Sequence, residues 1–469
     1  MFLASGRTRW TVYLVAGAFF MENLDVNVIA PSLPAMGQSF GVPAVDLNIG
    51  MSAYVMTIAA FIPASSWISD RIGARNVFAA AIAVFTFASV MGAMAEGIWT
   101  FVAARVLQGI GGAMMVPVGR LVVMRNTEKS EVMKAVAYIV WPGLVAPILG
   151  PPIGGFLTTY FTWRLVFLMN VPLGLLGFAM ALALVPNDKG PERPFDAAGF
   201  GLFVLALVPL LYGLELLGRE PTPWAETLSI LILGVVASVV ALRHFRRAAH
   251  PVLDLSILSI PAFAGTAIGG SLFRIAFNAV PFLMPLMLQL GLGMSAFESG
   301  LLVLCLFAGN LLIKPATTPI LRRFGFRGVM LGNGLVGVGS FIACAAITHS
   351  MPVALMCLIL LIGGMTRSMQ YTVITTMGFA DIPSDKMGNA NMFASMLQQA
   401  NAALGVTCGA LVLRIAALMQ HGVTVAEPTT ATFRIAFLLI GLLAVAGVVN
   451  TLRLPADAGA EVTGHRQPR

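Results

Sequence analysis

Residues 69–77 read Ser-Asp-Arg-Ile-Gly-Ala-Arg-Asn-Val, and residues 321–329 read Leu-Arg-Arg-Phe-Gly-Phe-Arg-Gly-Val. Both stretches contain the pattern Arg-x-Gly-x-Arg-x-Val, and each follows an apolar run long enough to cross a membrane. A turn that recurs in two halves of a chain indicates a fold built from two similar sets of helices. Glycine permits a tight turn there, and the arginines favour the cytoplasmic side. The alternative is two ordinary cytoplasmic loops.

The composition around these turns is that of a membrane protein. The chain has 469 residues, of which 58% are hydrophobic and only 10% charged, whereas soluble domains carry about 25% charged residues. This excludes an ordinary soluble enzyme, a disordered chain and a disulfide scaffold. The net charge of +8 lies mostly in short segments between apolar runs, which indicates membrane topology and not nucleic-acid binding. The four cysteines lie inside apolar runs without a C-x-x-C pair and are interpreted as buried apolar residues.

The hydrophobic runs predict the number and direction of the membrane crossings. A helix needs about 20 mostly apolar residues to cross the hydrocarbon core. Of the 28 Lys and Arg residues, 20 fall on the side of the N-terminus and four on the opposite side. We therefore expect an all-α polytopic membrane protein with fourteen transmembrane helices and both termini in the cytoplasm. The predicted spans are 10–31, 48–68, 77–95, 98–120, 135–159, 165–185, 197–217, 227–243, 261–285, 299–321, 328–348, 352–377, 389–414 and 433–452.

The first turn resembles the cytoplasmic-loop signature of the major facilitator superfamily. Ser66 stands where that family usually has its first glycine, and the second turn has Arg322 at the position of the acid. The resemblance therefore implies that the first turn is the working cytoplasmic gate and that the second is degenerate. The gate residues that it implies are Asp70, Arg71, Gly73 and Arg75.

The fifth predicted helix resembles the antiporter signature of drug exporters. It contains Gly-Pro-Pro-Ile-Gly-Gly at 150–155. Gly150 and Gly154 share a helix face and would let another helix approach closely, while a proline removes an amide donor and promotes a kink. Glycine-mediated packing without an antiporter role is the alternative. The motif residues are Gly143, Gly150, Pro151, Gly154 and Gly155.

Three further segments, 24–34, 105–112 and 163–174, extend the likeness over the whole chain. The sequence resembles the fourteen-helix drug:proton antiporters of the EmrB/QacA type, and the run 108–120 is most similar to their MdtD-like branch. The resemblance implies the major facilitator fold, with two six-helix bundles and two extra helices. The expected division is an N-terminal bundle at 1–186, a linker with two accessory helices at 187–250, a C-terminal bundle at 251–455 and a cytoplasmic tail at 456–469.

Charges inside predicted spans mark candidate functional residues, since each costs about 2.5–3.5 kcal/mol to insert at the bilayer centre. Glu22 and Asp25 are three residues apart and share a helix face. Two such carboxylates in a desolvated site suit a proton carrier. We predict that Asp25, Glu22 and Arg105 form the proton-coupling site, with Asp25 favoured because it lies in a family segment. A purely structural ion pair with Arg105 is the alternative.

Further intramembrane cations carry polar companions on the same helix face. By resemblance, the first, fourth, ninth and twelfth spans line a central cavity, and most of these side chains lie on them. Helix–helix hydrogen bonding is the alternative for each Asn and Gln. The predicted cavity residues are Arg274, Asn278, Asn310, Lys314, Arg367, Gln370, Gln108 and Gln398.

The sequence also lacks the motifs of several enzyme classes. No Lys follows a Gly, so the chain has no Gly-Lys-Ser/Thr phosphate loop. All five histidines fall in predicted loops or tails, which argues against a membrane metalloenzyme. We therefore expect no enzymatic activity, no cofactor and no metal site.

The leading functional prediction is a proton-coupled efflux antiporter of the cytoplasmic (inner) membrane that works by alternating access. Its expected partners are a small-molecule substrate, protons and the lipid bilayer, without nucleic acid, and we expect a monomer. The excess of cations over carboxylates in the core spans raises an alternative, an exporter of organic anions such as citrate or metal-citrate. A non-transporting membrane scaffold is a second alternative, and a pore component that needs a periplasmic adaptor is a third.

Overall fold

The computed structural model describes residues 6–127, 132–190, 194–217, 222–249, 251–383, 386–421 and 428–452. The predicted tail at 456–469 lies outside these residues. Within them every regular element is helical. The α-helices are α1 (Gly6–Val28), α2 (Leu33–Phe40), α3 (Asn48–Ile72), α4 (Ala74–Ala93), α5 (Ile98–Asn126), α6 (Val132–Tyr160), α7 (Leu165–Leu168), α8 (Asn170–Leu184), α9 (Ala197–Leu216), α10 (Trp224–Phe245), α11 (Pro261–Leu286), α12 (Ala296–Leu312), α13 (Lys314–Ala345), α14 (Val353–Phe379), α15 (Met387–His421) and α16 (Thr430–Thr451).

Twelve helical segments in the described residues are long and apolar enough to cross a membrane. The prediction of an all-helical, multi-pass membrane protein is therefore confirmed. The 29-residue α6 and the shorter apolar α12 occupy two further predicted spans. Fourteen crossings and the cytoplasmic position of both termini stay predictions.

The tenth predicted span, 299–321, is not one continuous helix. Helix α12 ends at Leu312 and α13 begins at Lys314. Pro315 follows at once and has no amide hydrogen for the helical ladder. Ala316 instead donates its amide hydrogen to the Ile313 carbonyl at 3.0 Å. Ile313, the one residue between the two helices, keeps helical backbone angles (φ −75°, ψ −18°), so the interruption is a local one just before Lys314.

The chain divides into two compact units. The first comprises residues 1–210, 231–252 and 295–300, and the second comprises 211–230, 253–294 and 301–469. Most of α10 groups with the first unit, so the accessory helices do not form a third unit in this division. The boundaries predicted from sequence stay predictions.

The internal repeat is visible in how helices pair within each unit. In the first unit α1 packs on α6, α4 on α5 and α4 on α8. In the second unit α11 packs on α15, α13 on α14 and α13 on α16. The first, second and third pairs of one unit therefore match the first, second and third pairs of the other in the order of their helices along the chain. The two repeated turns agree as well. Gly73 separates α3 from α4, Gly325 interrupts α13 with non-helical backbone angles, and both glycines have a positive φ, 103° and 67°. Side chains other than glycine rarely adopt that conformation, which explains why the pattern keeps glycine at its centre.

Candidate functional site

The first unit buries an ion pair between helices α1 and α5. A guanidinium nitrogen of Arg105, Nη1, lies 2.6 Å from Asp25 Oδ2. The Asp25 side chain is fully buried, and Arg105 is 1% exposed. Arg105 also stacks over the Tyr54 ring, with 4.1 Å between the guanidinium carbon and the ring centroid. The structure therefore brings together Asp25 and Arg105, as the sequence predicted.

Three neutral side chains complete the Asp25 cluster, which we define as Asp25, Arg105, Gln108, Asn170 and Ser89. Asn170 and Gln108 donate to Asp25 Oδ1 at 2.7 and 3.1 Å. Gln108 accepts from Arg105 at 2.8 Å and donates to the Ser89 hydroxyl at 2.9 Å. The cluster joins α1, α4, α5 and α8. A change of charge at Asp25 therefore alters contacts that connect these four helices.

The cluster differs from the sequence prediction in its members. Gln108 was expected in the substrate cavity, but its side-chain amide is committed to Asp25 and Ser89. Asn170 begins α8 and lies in the 163–174 segment that supported the family resemblance, which was the one signal for it. No sequence signal pointed to Ser89, because a serine inside an apolar helix is common.

Glu22 lies outside the Asp25 cluster although it shares a helix with Asp25. It is 7% exposed, and its Oε2 has no hydrogen-bond partner among the described residues. The Tyr54 hydroxyl likewise has no hydrogen-bond partner among the described residues. The side chains of Glu22 and Tyr54 both lie close to Gly112. Protonation of Glu22 would break no hydrogen bond to Oε2, whereas protonation of Asp25 would weaken an ion pair.

The predicted gate residue Asp70 pairs within its own unit. Arg125, at the end of α5, donates from Nη2 to Asp70 Oδ1 at 2.7 Å, with both side chains partly exposed. A surface ion pair of this kind contributes about 0.2–1 kcal/mol. Arg71 is exposed and stands over the Trp67 ring at 5.9 Å. A gating role for Asp70, Arg71, Gly73 and Arg75 stays a prediction.

The linker that follows α8 packs directly against the first repeated turn, residues 69–77, which we call the gate turn. The Ala74 amide donates to the Asp188 carbonyl at 3.2 Å, and the Gly190 amide donates to the Asp70 carbonyl at 3.0 Å. A Cβ on Gly190 would overlap the Asp70 carboxylate, and one on Gly73 would overlap Asn187. Glycine at position 73 is favoured by its positive φ, whereas the overlap with the end of the Asn187 side chain could be relieved by rotation of that side chain. Arg75 contacts only the neighbouring Asn76, at 3.5 Å, in the hydrogen bonds described.

The glycines of the antiporter motif bring α6 against α1. A Cβ on Gly154 would overlap the Val28 carbonyl, and a Cβ on Gly150 would lie 2.8 Å from Asn27 Cβ. Gly143 has room, since the nearest atom to such a Cβ is 3.5 Å away. Gly150 and Gly154 therefore lie where α6 approaches α1 closely, and an antiporter role for this motif stays a prediction. A Cβ on Gly155 would instead meet the Ala296 backbone, and Pro151 lies buried in the same helix.

The second unit holds two arginines around one tyrosine. Arg274 of α11 and Arg367 of α14 lie 5.8 and 5.5 Å from the Tyr371 ring centroid. Arg274 donates to the Thr375 hydroxyl at 3.2 Å, and Arg367 donates to the side-chain amide oxygen of Asn278, Oδ1, at 3.3 Å. Neither arginine forms an ion pair among the described residues. The structure therefore brings Arg274, Asn278 and Arg367 together without a carboxylate, and their role in a substrate cavity stays a prediction.

The other predicted cavity residues differ in their surroundings. Lys314 is exposed and donates to the Thr372 hydroxyl at 3.1 Å, so it needs no buried counter-ion. Gln370 is fully buried and accepts from Asn333 of α13 at 2.8 Å, which favours the helix–helix alternative. Asn310 lies one turn before Lys314, and Gln398 of α15 is exposed. A cavity role for these four residues stays a prediction.

Two acidic residues outside the spans fix the ends of helices. Burial alone would raise the pKa of Asp196, but hydrogen bonds from the Gly199 amide, His244 and the Val252 amide outweigh it and lower the pKa below its usual value. His244 Nε2 lies 2.8 Å from Asp196 Oδ1. For Asp254, hydrogen bonds from Ser256 and other donors likewise outweigh burial and lower the pKa.

Comparisons with known proteins agree with this architecture. A family model described as Major Facilitator Superfamily matches residues 15–406. The chain is 34% identical over 470 residues to the "Putative multidrug resistance protein MdtD" of Klebsiella pneumoniae subsp. pneumoniae, covering 98% of each chain. A solved structure of an auto-inhibited POT family peptide transporter has a TM-score of 0.68 at 14% identity, covering 95% of this chain and 97% of that chain. A bacterial homologue of the lysosomal transporter Spinster has a TM-score of 0.63 at 15% identity, covering 98% and 97%.

These matches confirm three predictions from the sequence: the family, the multi-pass membrane location (in bacteria, the inner membrane) and the absence of an enzyme fold. The solved structures support the fold alone, since their identity to this chain is low. The family match covers most of the chain, and the repeat of helix pairs is that of two related bundles. The chain belongs to the Major Facilitator Superfamily of membrane transporters.

Proposed function

We propose that this transporter exports small molecules in exchange for protons by alternating access. In this proposal fourteen helices cross the cytoplasmic membrane and both termini lie in the cytoplasm. The name of the Klebsiella relative supports efflux of drug-like compounds. The chain acts as a monomer. Co-purification from native membranes tests whether it also needs a periplasmic adaptor.

The observation that carries the proposal is the buried Asp25–Arg105 pair. Breaking a buried ion pair by removing one charge costs about 3–5 kcal/mol. A proton on Asp25 neutralises one of the two charges and so weakens the contact with Arg105. Arg105 keeps Gln108 as an acceptor at 2.8 Å, so it is not left without a partner.

Protonation of Asp25 therefore changes the balance between two arrangements of the same four helices. An alternation between accessible sides requires such a bistable element that the coupling ion biases. Glu22 is a second carboxyl in the same helix, and its free Oε2 suits it to pass a proton to or from Asp25. The gate turn at Asp70 would hold the cytoplasmic side in one of the two states.

Reconstitution into proteoliposomes tests this proposal. A pH gradient is imposed, and movement of a panel of lipophilic cations and small carboxylates is followed. We expect uptake of at least one compound that depends on the gradient and stops when an ionophore collapses it. Transport that ignores the gradient, or no transport of any compound, would reject proton-coupled efflux and favour the scaffold alternative.

A second candidate function, export of organic anions, is favoured by Arg274 and Arg367. Arg274 Nε and Arg367 Nη1 are buried and lack an acceptor among the described residues. A buried charge without a partner is costly, and a guanidinium binds a carboxylate through two parallel hydrogen bonds. Because Lys314 is exposed, two cations, and not three, support this argument.

Replacement of each arginine distinguishes the two candidate functions. In Arg274→Ala or Arg367→Ala we expect transport of a citrate-like carboxylate to fall more than transport of an ethidium-like cation. Lys314→Ala is the matched control, since an exposed lysine should contribute less. Normal anion export by both arginine variants would reject the anion candidate without affecting the proton-coupled mechanism.

A further inference from the structure

Two of the four cysteines meet in the second unit. Cys305 Sγ of α12 lies 2.8 Å from Cys357 Sγ of α14. Both thiols are half-buried and free. The sequence separates them by 52 residues and gave no indication of the contact. The other two cysteines, Cys344 and Cys408, have no such neighbour in the hydrogen bonds described.

The two helices are in backbone contact beside the sulfur pair. A Cβ on Gly309 would lie 2.8 Å from the Leu361 carbonyl carbon. A Cβ on Gly364 would lie 2.8 Å from the Leu306 carbonyl carbon. Glycines at these positions let helices approach closely in a membrane. The sulfur contact therefore lies within a tight crossing of α12 and α14, which backbone contacts hold close together.

The sulfur separation decides which chemistry the pair suits. A disulfide bond is about 2.05 Å long, so the sulfurs need to approach by less than 1 Å. A soft metal ion held linearly between two thiolates, with bonds of about 2.3 Å each, would need them about 4.6 Å apart. The observed 2.8 Å is nearer to the disulfide.

The position of the pair along the helices suits oxidation. Cys305 is nine residues beyond Ala296 and Cys357 is four residues beyond Val353, so they lie about 14 and 6 Å from their helix starts. In the topology proposed above these starts face the outer side of the membrane. That side, the periplasm in bacteria, is an oxidising compartment. Exposed leucines at 301, 355 and 358 flank the pair on the lipid-facing surface.

We propose that Cys305 and Cys357 are a redox-active pair whose disulfide fastens α12 to α14. The two thiols form one sulfur–sulfur bond and release two protons and two electrons. A lipid-soluble quinone takes both and becomes a quinol, and a small thiol restores the dithiol by exchange. Arg367 of α14 stands over Phe307 of α12, 5.7 Å from its ring centroid, so the bond fastens the helix that carries this arginine.

Thiol counting on the purified, full-length protein tests the site. The protein is treated with a soluble quinone, and free thiols are then labelled with a maleimide in denaturant. We expect wild type to lose two of its four free thiols and to regain them with dithiothreitol. The double variant Cys344→Ser/Cys408→Ser should lose both remaining thiols, whereas Cys305→Ser and Cys357→Ser should each keep three.

Thermal unfolding tests the fastening, because a disulfide stabilises the folded chain relative to the unfolded one. The oxidised wild type should unfold at a higher temperature than the reduced protein, and Cys305→Ser should show no such difference. Unchanged thiol counts, bonds between two chains, or protection of the thiols by silver ions without disulfide formation would each overturn the proposal. A disulfide that leaves the unfolding temperature unchanged would overturn the fastening. None of these readouts depends on transport.

Discussion

Replacing Asp25 by Asn removes a charge from the Asp25 cluster and changes its shape little. Arg105 then faces an amide where it had a carboxylate at 2.6 Å, while Gln108 and Asn170 still compete for the single remaining oxygen. Arg105 is 1% exposed, so bulk solvent does not reach it to compensate for the lost anion. Loss of one partner from a buried ion pair costs about 3–5 kcal/mol, against a total stability of about 5–15 kcal/mol for a typical folded domain. We expect a folded but clearly destabilised protein.

A second substitution separates a structural role from proton coupling. In the double variant Asp25→Asn/Arg105→Gln both charges are gone, so no uncompensated cation remains. Residues in direct contact typically show interaction energies of about 0.5–3 kcal/mol in such cycles. We therefore expect the double variant to be more stable than Asp25→Asn alone. It should still fail to couple transport to a pH gradient, since no proton site remains at Asp25.

Wild type, Asp25→Asn, Arg105→Gln and the double variant are compared by denaturant titration in lipid–detergent micelles and by transport in proteoliposomes. Wild type should show gradient-driven transport, and both variants that lack the carboxylate should not. The Asp25→Asn protein is the control for stability. Like the double variant it should lack proton coupling, but it should be the less stable of the two. If the double variant recovered gradient-driven transport together with its stability, the pair would be purely structural and the reasoning would be refuted.

Three further predictions concern the gate, the antiporter motif and the linker. Asp70→Asn should lower transport and leave stability within about 1 kcal/mol, since its partner Arg125 is partly exposed; normal transport rates would contradict a gating role. Gly154→Val should destabilise the protein by about 1–3 kcal/mol by overlap with α1, while Gly143→Ala is tolerated, as thermal unfolding of both will show. Because the pKa of Asp196 is lowered, its stabilisation is complete above the ordinary value of about 3.9 and is lost as the pH falls through the lowered pKa. The stability difference between wild type and Asp196→Asn should therefore shrink only below about pH 4, and a difference that disappears near neutrality would contradict this.

The sequence alone determined the membrane class, the approximate spans and the repeated turns. These features are local, because the bilayer selects apolar runs of a fixed length and a positive φ selects glycine. The charge pair also followed from sequence, since an intramembrane carboxylate and an intramembrane arginine each require a partner. The local interruption just before Lys314 was missed, although Pro315 was a local signal for it.

The tertiary structure alone decided which polar groups meet. Asn170 is 145 residues from Asp25, and Ser89 joins the same cluster from a third helix. Gln370 turned toward Asn333 of α13, and Cys305 met Cys357, which no spacing in the sequence indicated. The physical reason is that lipid is as apolar as the helix surfaces, so hydrophobicity does not choose helix partners in a membrane. Close packing of small residues and a few hydrogen bonds make that choice, and both depend on the assembled helices.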